Sequence, residues 1–326
     1  MKVVLAGGSG QLGQILTRDF CRRGWQVVVL SRKETCHLPN LDTSFDNVRT
    51  CRWDGRSSDS WCRELADSDI VVNLAGRSVD CRYHQANRRL IVDSRVNSTR
   101  TLAQAIADCP TPPKLFLQSS TATIYSHRYD GTNDEVTGVI GGNEPNVPET
   151  WRFSIDVAKK WESAATSIDL PKTRRVLMRS AMVMSPDRGG VLDVLLRLVR
   201  LGLGGPNGNG KQFVSWIHDA DFVAAIHWII DHGQLDGAIN LAAPGPLPNR
   251  EFMRTLRHAW GRRFGLPANR AMLEIGAVFL RTETELILKS RRVVPTRLLD
   301  SGFDFQFSDW QSAARDLCTR YRSARR

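Results

Sequence analysis

The sequence lacks any run of about 18 apolar residues, the length a helix needs to cross a bilayer, so no membrane span is expected. It lacks a Cys-x-x-Cys pair and every zinc-ligand spacing. Its seven cysteines are scattered and odd in number, which argues for free thiols in a reducing compartment rather than a disulfide framework or a metal site. It also lacks an internal repeat and a low-complexity tract. The opening apolar stretch is too short for a signal-peptide core and runs straight into glycines, so a cytoplasmic protein is expected. What is present is ordinary for a folded chain: 41% hydrophobic and 24% charged residues exclude collagen-like and disordered classes. Basic residues outnumber acidic ones by 45 to 34, a net charge of +11. They are dispersed, densest between residues 315 and 326, and read first as solvated helix faces. With no base-reading element, neither nucleic acid nor a membrane is the expected partner. The same excess favours a phosphate-bearing small molecule.

Apolar runs and helical periodicity alternate along the chain. Residues 3–6, 26–30, 70–74, 114–118 and 176–183 read as strands, and residues 11–23, 90–107 and 151–168 as helices. That alternation predicts an α/β fold with a doubly wound parallel sheet covered on both faces. After Pro186 the texture changes. Residues 191–201 read as an amphipathic helix, 202–210 as a glycine-rich loop, 213–217 as a strand and 219–231 as a helix. The expected organisation is a nucleotide-binding core over residues 1–185, joined by a returning strand near 238–242. A smaller, mostly helical substrate lobe follows over residues 186–326, its helical domain starting at about 249.

Glycines at Gly7, Gly10 and Gly13 follow the first strand directly and open the first helix. Such a turn lets backbone approach a pyrophosphate closely, and the N–H groups of Gln11 and Leu12 at the helix start supply donors and partial positive charge. Glycines also close ordinary turns, but the place between strand and helix favours a dinucleotide. A site for NAD puts a carboxylate about 20 residues past the motif. Here Ser31-Arg32-Lys33 stands at the end of the second strand. A guanidinium grips a 2′-phosphate, so NADP(H) is the expected cofactor, the alternative being that Arg32 points into solvent. Asp54 could meet the adenine amino group, and Leu74, Ala75 and Gly76 could pass along the adenosine ribose, or both could simply end strands.

The glycine loop, Asn73-Leu74-Ala75-Gly76, Asp93-Ser94-Arg95-Val96-Asn97 and Ser119-Ser120-Thr121 together resemble an extended, atypical short-chain dehydrogenase/reductase. Gly202-Leu203-Gly204-Gly205-Pro206, Ser215-Trp216-Ile217-His218, Asn240-Leu241-Ala242-Ala243-Pro244 and Arg292-Val293-Val294-Pro295 are similar to its nucleoside-diphosphate-sugar epimerase subfamily, which carries a C-terminal domain of unknown function. The resemblance implies a Rossmann-type sheet, bound NADP(H), and cofactor contacts at Ser31, Arg32, Leu74, Ala75, Arg95 and Val183.

The wider family runs hydride chemistry with Ser/Thr, Tyr and Lys, the last two four residues apart on one helix. Thr121 matches the Ser/Thr position. The helix contains no tyrosine: Ser154 and Ala158 occupy the Tyr and Lys places. Tyr125, four residues beyond Thr121, is a candidate substitute proton donor or a structural aromatic. His218 is a candidate for the substrate pocket or a hydrogen-bonded structural residue, and Gly205, within the glycine run, a candidate diphosphate cradle or part of a mobile loop. Two functions follow. One is an epimerase, reductase or dehydratase acting on a nucleotide sugar or related carbonyl compound, as a monomer or homodimer. The other is a non-catalytic NADP(H)-binding sensor or scaffold, which the missing Tyr-Lys pair favours.

Overall fold

Four consecutive residues, Val3 to Ala6, are completely buried, which an isolated hairpin or exposed sheet would not allow. They belong to strand β1 (Lys2–Ala6), near the middle of a seven-stranded parallel sheet in a computed structural model that describes residues 1–32, 45–268 and 288–325. The other strands are β2 (Gln26–Ser31), β3 (Val48–Arg52), β4 (Ile70–Asn73), β5 (Leu115–Thr121), β6 (Arg174–Ser180) and β10 (Gly237–Leu241). Their order is β10-β6-β5-β4-β1-β2-β3, the doubly wound pattern of a Rossmann-type sheet. The order reverses beside β1, and that switch point opens a crevice at the strand C-termini.

Alternate residues of each strand feed opposite cores, as a pleat requires. Val3, Leu5, Val27, Val29 and Val72 pack with helices α1 (Gln11–Arg22) and α5 (Asp219–Asp231). Val4, Ala6, Val28, Leu30 and Val71 pack on the other side with α2 (Gln85–Ala107). Helix α3 (Glu149–Thr166) lies beside α2 and over the end of β5.

A second core builds the C-terminal lobe. Helices α4 (Val191–Arg200), α6 (Asn249–Ala259) and α8 (Trp310–Ser323) surround Trp216, with Phe252 stacked on Trp310 at 4.1 Å. A short helix α7 (Thr296–Asp300) sets Leu298 into the sheet core. Two two-stranded ribbons join lobe and sheet: β7 (Met182–Met184) pairs with β9 (Trp216–His218), and β8 (Phe213–Val214) with β11 (Leu247–Pro248). Among the described residues no helix is long and apolar enough to cross a membrane.

Candidate functional site

The glycine loop shows which of its glycines the protein itself requires. Gly7 has φ +82°, and a Cβ there would lie 2.7 Å from the carbonyl carbon of Leu74. At Gly13 a Cβ would lie 2.5 Å from both Gly7 O and Gly8 Cα, so α1 could not seat on β1. At Gly10 the nearest atom to an added Cβ is Gly7 O at 3.4 Å, ordinary contact. Chain packing thus explains two of the three glycines, and the third has room for a Cβ. Gly10 is also the N-cap of α1 and, having no side chain, leaves the N–H groups of Gln11 and Leu12 without a side-chain cap among the described residues. Open backbone above an uncapped helix start suits a bridging diphosphate.

At the end of β2, Ser31 is partly buried and Arg32 is exposed, with no ion pair among the described residues. Lys33 lies outside the described residues. Asp54 is exposed and bonded within its own turn. Its Oδ1 accepts the N–H groups of Arg56 (2.8 Å) and Ser57 (2.9 Å) and its Oδ2 the Ser57 hydroxyl (3.0 Å). Those donors hold its pKa below the usual carboxylate value. The carboxylate ties the turn after β3.

The loop after β4 is held from below. Asn73 is completely buried; its Nδ2 donates to Gln118 Oε1 (2.9 Å) and Thr99 Oγ1 (3.2 Å), and its Oδ1 accepts Ala75 N–H (3.0 Å). This fixes Leu74, Ala75 and Gly76 against Gly7. Arg95, from α2, lies along Gly76, where a Cβ would be 3.2 Å from its Cζ. Its guanidinium sits 4.9 Å over the Trp161 ring and donates to the carbonyls of Arg77 and Ile91. No carboxylate pairs with it among the described residues, and burial pulls its pKa down to about 10, still cationic at neutral pH. With Thr121, Thr123, Ser154, Tyr83, Phe153 and Val157 it lines a cavity of about 110 Å³ where β5 ends. A wider, open depression lies where the strands begin, lined by Lys114, Asp169 and Lys172, away from every ligand loop of a parallel sheet.

Thr121 and Ser154 therefore meet at one cavity. Ala158 does not: it is fully buried with Ala122, Ile124 and Val293. Tyr125 needs a correction. The single 3-10 turn over Ala122–Ile124 folds its ring back into the core, where it is 2% exposed. Its hydroxyl donates to Asn240 Oδ1 (3.0 Å) and accepts from Arg179 (2.9 Å). Burial raises its pKa, the wrong direction for a proton donor poised near neutrality. Sequence reasoning missed the pair behind it: Arg179 grips Glu162 through two bonds of 2.8 Å, and Glu162 Oε1 accepts the Ser120 hydroxyl at 2.5 Å. These residues are far apart in the chain, so only the fold shows them together.

Val183 lies in the main core, in register with Ile217. His218 and Gly205, expected at the substrate, have structural tasks instead. His218 is 1% exposed; its Nδ1 accepts Ala220 N–H at the start of α5, its Nε2 lies 2.9 Å from Asp316, and Phe307 stacks on it at 3.9 Å. No ring atom remains for a ligand. Gly205 is buried and donates its N–H to Leu266 O (3.1 Å), where a Cβ would come within 2.3 Å. It is a glycine because two backbones touch there, and its donor is already used.

Comparison with known proteins agrees with this geometry. The profile of the NAD dependent epimerase/dehydratase family matches residues 3–242, and that of a domain of unknown function (DUF1731) matches residues 270–317. Human epimerase family protein SDR39U1 is 31% identical over 322 residues, covering 97% of this chain and 99% of the relative. The crystal structure of its isoform 2 with NADPH superposes with a TM-score of 0.82 at 30% identity, covering 98% of this chain and 99% of that one. A nucleoside-diphosphate sugar epimerase structure from Corynebacterium glutamicum gives 0.73 at 25% identity, covering 98% of this chain and 58% of that one. The glycine cradle, the reversed strand order and these matches together make the chain a member of the NAD dependent epimerase/dehydratase family, with a C-terminal part that matches the domain of unknown function.

Proposed function

We propose that the chain is an NADP(H)-dependent enzyme acting on the carbonyl carbon of a polar compound, such as a nucleotide sugar, in reduction or epimerisation. The observation that carries this reading is the room for a Cβ at Gly10 above a helix start with no side-chain cap, with Arg32, which makes no ion pair among the described residues, at the next strand end. The N–H groups of Gln11 and Leu12 would hold the bridging phosphates, Ser31 and Arg32 the 2′-phosphate, and Leu74 to Gly76 the ribose side. The related human protein was crystallised with NADPH, in keeping with that choice.

When bound, NADP(H) supplies or accepts a hydride. The chain's own groups complete the site. Thr121 Oγ1 accepts the Thr123 N–H (3.2 Å), which leaves its hydroxyl proton to bond a substrate oxygen at the cavity wall. Arg95 adds positive charge to the same cavity, stabilising an oxygen that becomes negative. Phe153, Val157 and Val79 exclude water from that wall. Ser154 is the hydroxyl that α3 offers where relatives carry the proton-transferring residue.

One observation favours a sensor without turnover: Tyr125 is locked in the core and Ala158 is sealed from the cavity, so neither hydroxyl nor ammonium of the usual pair is available. Mixing NADPH with nucleotide sugars and small carbonyl compounds while following nicotinamide absorbance separates the two. Oxidation that falls about 100-fold in Thr121→Ala supports the enzyme. Tight NADPH binding with no oxidation across the panel supports the sensor.

A further inference from the structure

The last residue of β3 places a second cation at the same corner as Arg32. Strand β3 runs parallel to β2 in register from Val27↔Val48 to Ser31↔Arg52, and the ladder continues with Trp53 N–H donating to Ser31 O at 2.7 Å. Side chains alternate between the faces of a strand. Val48 packs into the core that holds α1, whereas Cys51 and Trp53 pack into the opposite core. By that parity Arg52 stands on the α1 face, beside Ser31.

The glycine loop covers the same face. A Cβ at Gly8 would meet Val29 Cγ1 at 2.6 Å and Leu5 Cδ2 at 2.9 Å, and both side chains point to α1. Ser9 and Gly10 continue from there. One corner is therefore bordered by the loop, by Ser31, by Arg52 and, one residue past the strand, by Arg32. Both arginines are exposed, and neither makes an ion pair among the described residues. Arg49, on the other face of β3, is by contrast paired with Glu64. The carboxylate nearest Arg52 in sequence, Asp54, is held in its own turn by three donors. Two guanidinium groups on neighbouring strand ends, with no ion pair among the described residues, suit a phosphate monoester, which accepts several charge-assisted bonds at once.

We propose that Arg52 is the second half of a clamp on the 2′-phosphate of NADP(H), and that it, together with Arg32, sets the preference over NAD(H). This rests on the cofactor reading above. The test titrates the full chain with NADPH and with NADH, followed by nicotinamide fluorescence, in wild type, Arg32→Ala, Arg52→Ala and Arg52→Gln. Because Arg52 is exposed, the variants keep the wild-type melting temperature. Removing one charge-assisted contact is expected to weaken NADPH by about 10- to 100-fold and to leave NADH within about twofold. A wild-type preference for NADPH that survives both Arg52 variants overturns the clamp and leaves the cofactor reading standing. Equal loss for NADPH and NADH also overturns it, because the side chain then acts through the fold. Equal affinity of the wild type for both dinucleotides overturns the cofactor reading and the clamp with it.

Discussion

Gly10 and Gly13 lie three residues apart in one motif, yet their replacement by alanine should have opposite consequences. At Gly13 the added methyl would sit 2.5 Å from Gly7 O and Gly8 Cα, backbone atoms that cannot turn aside. Relieving that overlap means moving α1 off β1, at a cost of about 1–3 kcal/mol, typical of overpacking. At Gly10 the nearest atom is 3.4 Å away and the backbone, φ −75° and ψ 166°, is one alanine adopts freely. The unfolded chain loses freedom, about 0.4–1 kcal/mol in favour of the fold, against a poorer N-cap of similar size, so stability stays near the wild-type value. The methyl does fill the space through which a diphosphate reaches the helix N–H groups. Loss of even one charge-assisted bond there is worth about 1.5–3 kcal/mol, or roughly 10- to 150-fold in NADPH affinity. Thermal melting without ligand and fluorescence titration with NADPH read the two effects separately. Gly10→Ala that melts like wild type and also binds NADPH like wild type would refute the claim that the open face of Gly10 is the cofactor's.

Two predictions concern the scaffold beneath the site. Arg179→Met should destabilise by about 3 kcal/mol, because it leaves the Glu162 carboxylate, 12% exposed, facing a cation that is gone; urea denaturation measures it, and a loss below about 0.5 kcal/mol would show that the pair is dispensable. His218 should shape the acid limb of stability. Burial holds its pKa below the ordinary 6.5, so the unfolded chain takes up that proton first and stability falls as pH drops through about 6.5. Melting temperatures from pH 7.5 to 5 should therefore decline less steeply in His218→Gln, and identical slopes would contradict the assignment.

The sequence announces the glycine loop because every signal there is local: an apolar strand, three glycines and a helix follow one another without a gap. The same locality explains what escapes it. Strand β3 reads Val-Arg-Thr-Cys-Arg, with one strongly apolar residue, because it is the sheet's edge and only part of it packs. Helix α2 begins at Gln85, before its apolar periodicity, since His84 caps it by accepting Asn87 N–H. Residues 213–217 read as one strand, but Ser215 divides them: its hydroxyl bonds the backbone of Arg291 and Val293, and the halves pair with different partners. Tyr125 looked close to the chemistry because it is close to Thr121 in sequence, yet its partner Asn240 is 115 residues away. His218 is likewise explained by Asp316, 98 residues on. Adjacency suggests a site, but burial and distant partners decide whether a side chain can serve it.

The loss of the Tyr-Lys pair is more than two substitutions. Ala158 is completely buried against Ala122, Ile124, Tyr125 and Val293, so a lysine there would have to displace the turn that follows β5 and the segment that brings Val293 across from the C-terminal lobe. Asn240 ties the same places together, its Nδ2 donating to Val294 O (2.9 Å) while its Oδ1 accepts from Tyr125. The ground an ammonium would need is thus occupied by the joint between sheet and lobe. The cation that remains at the cavity comes from α2 rather than from the helix that carries the usual pair: Arg95 lies over Trp161 of α3 and donates to two carbonyls. A guanidinium stays protonated throughout the neutral range, so it can hold charge at a substrate or ribose oxygen but cannot relay a proton. On the proposed reading, any proton that accompanies hydride transfer would pass through a hydroxyl that lines the cavity, such as Thr121, Ser154 or Tyr83, or through water at its mouth, and Arg95 would polarise an oxygen rather than exchange a proton.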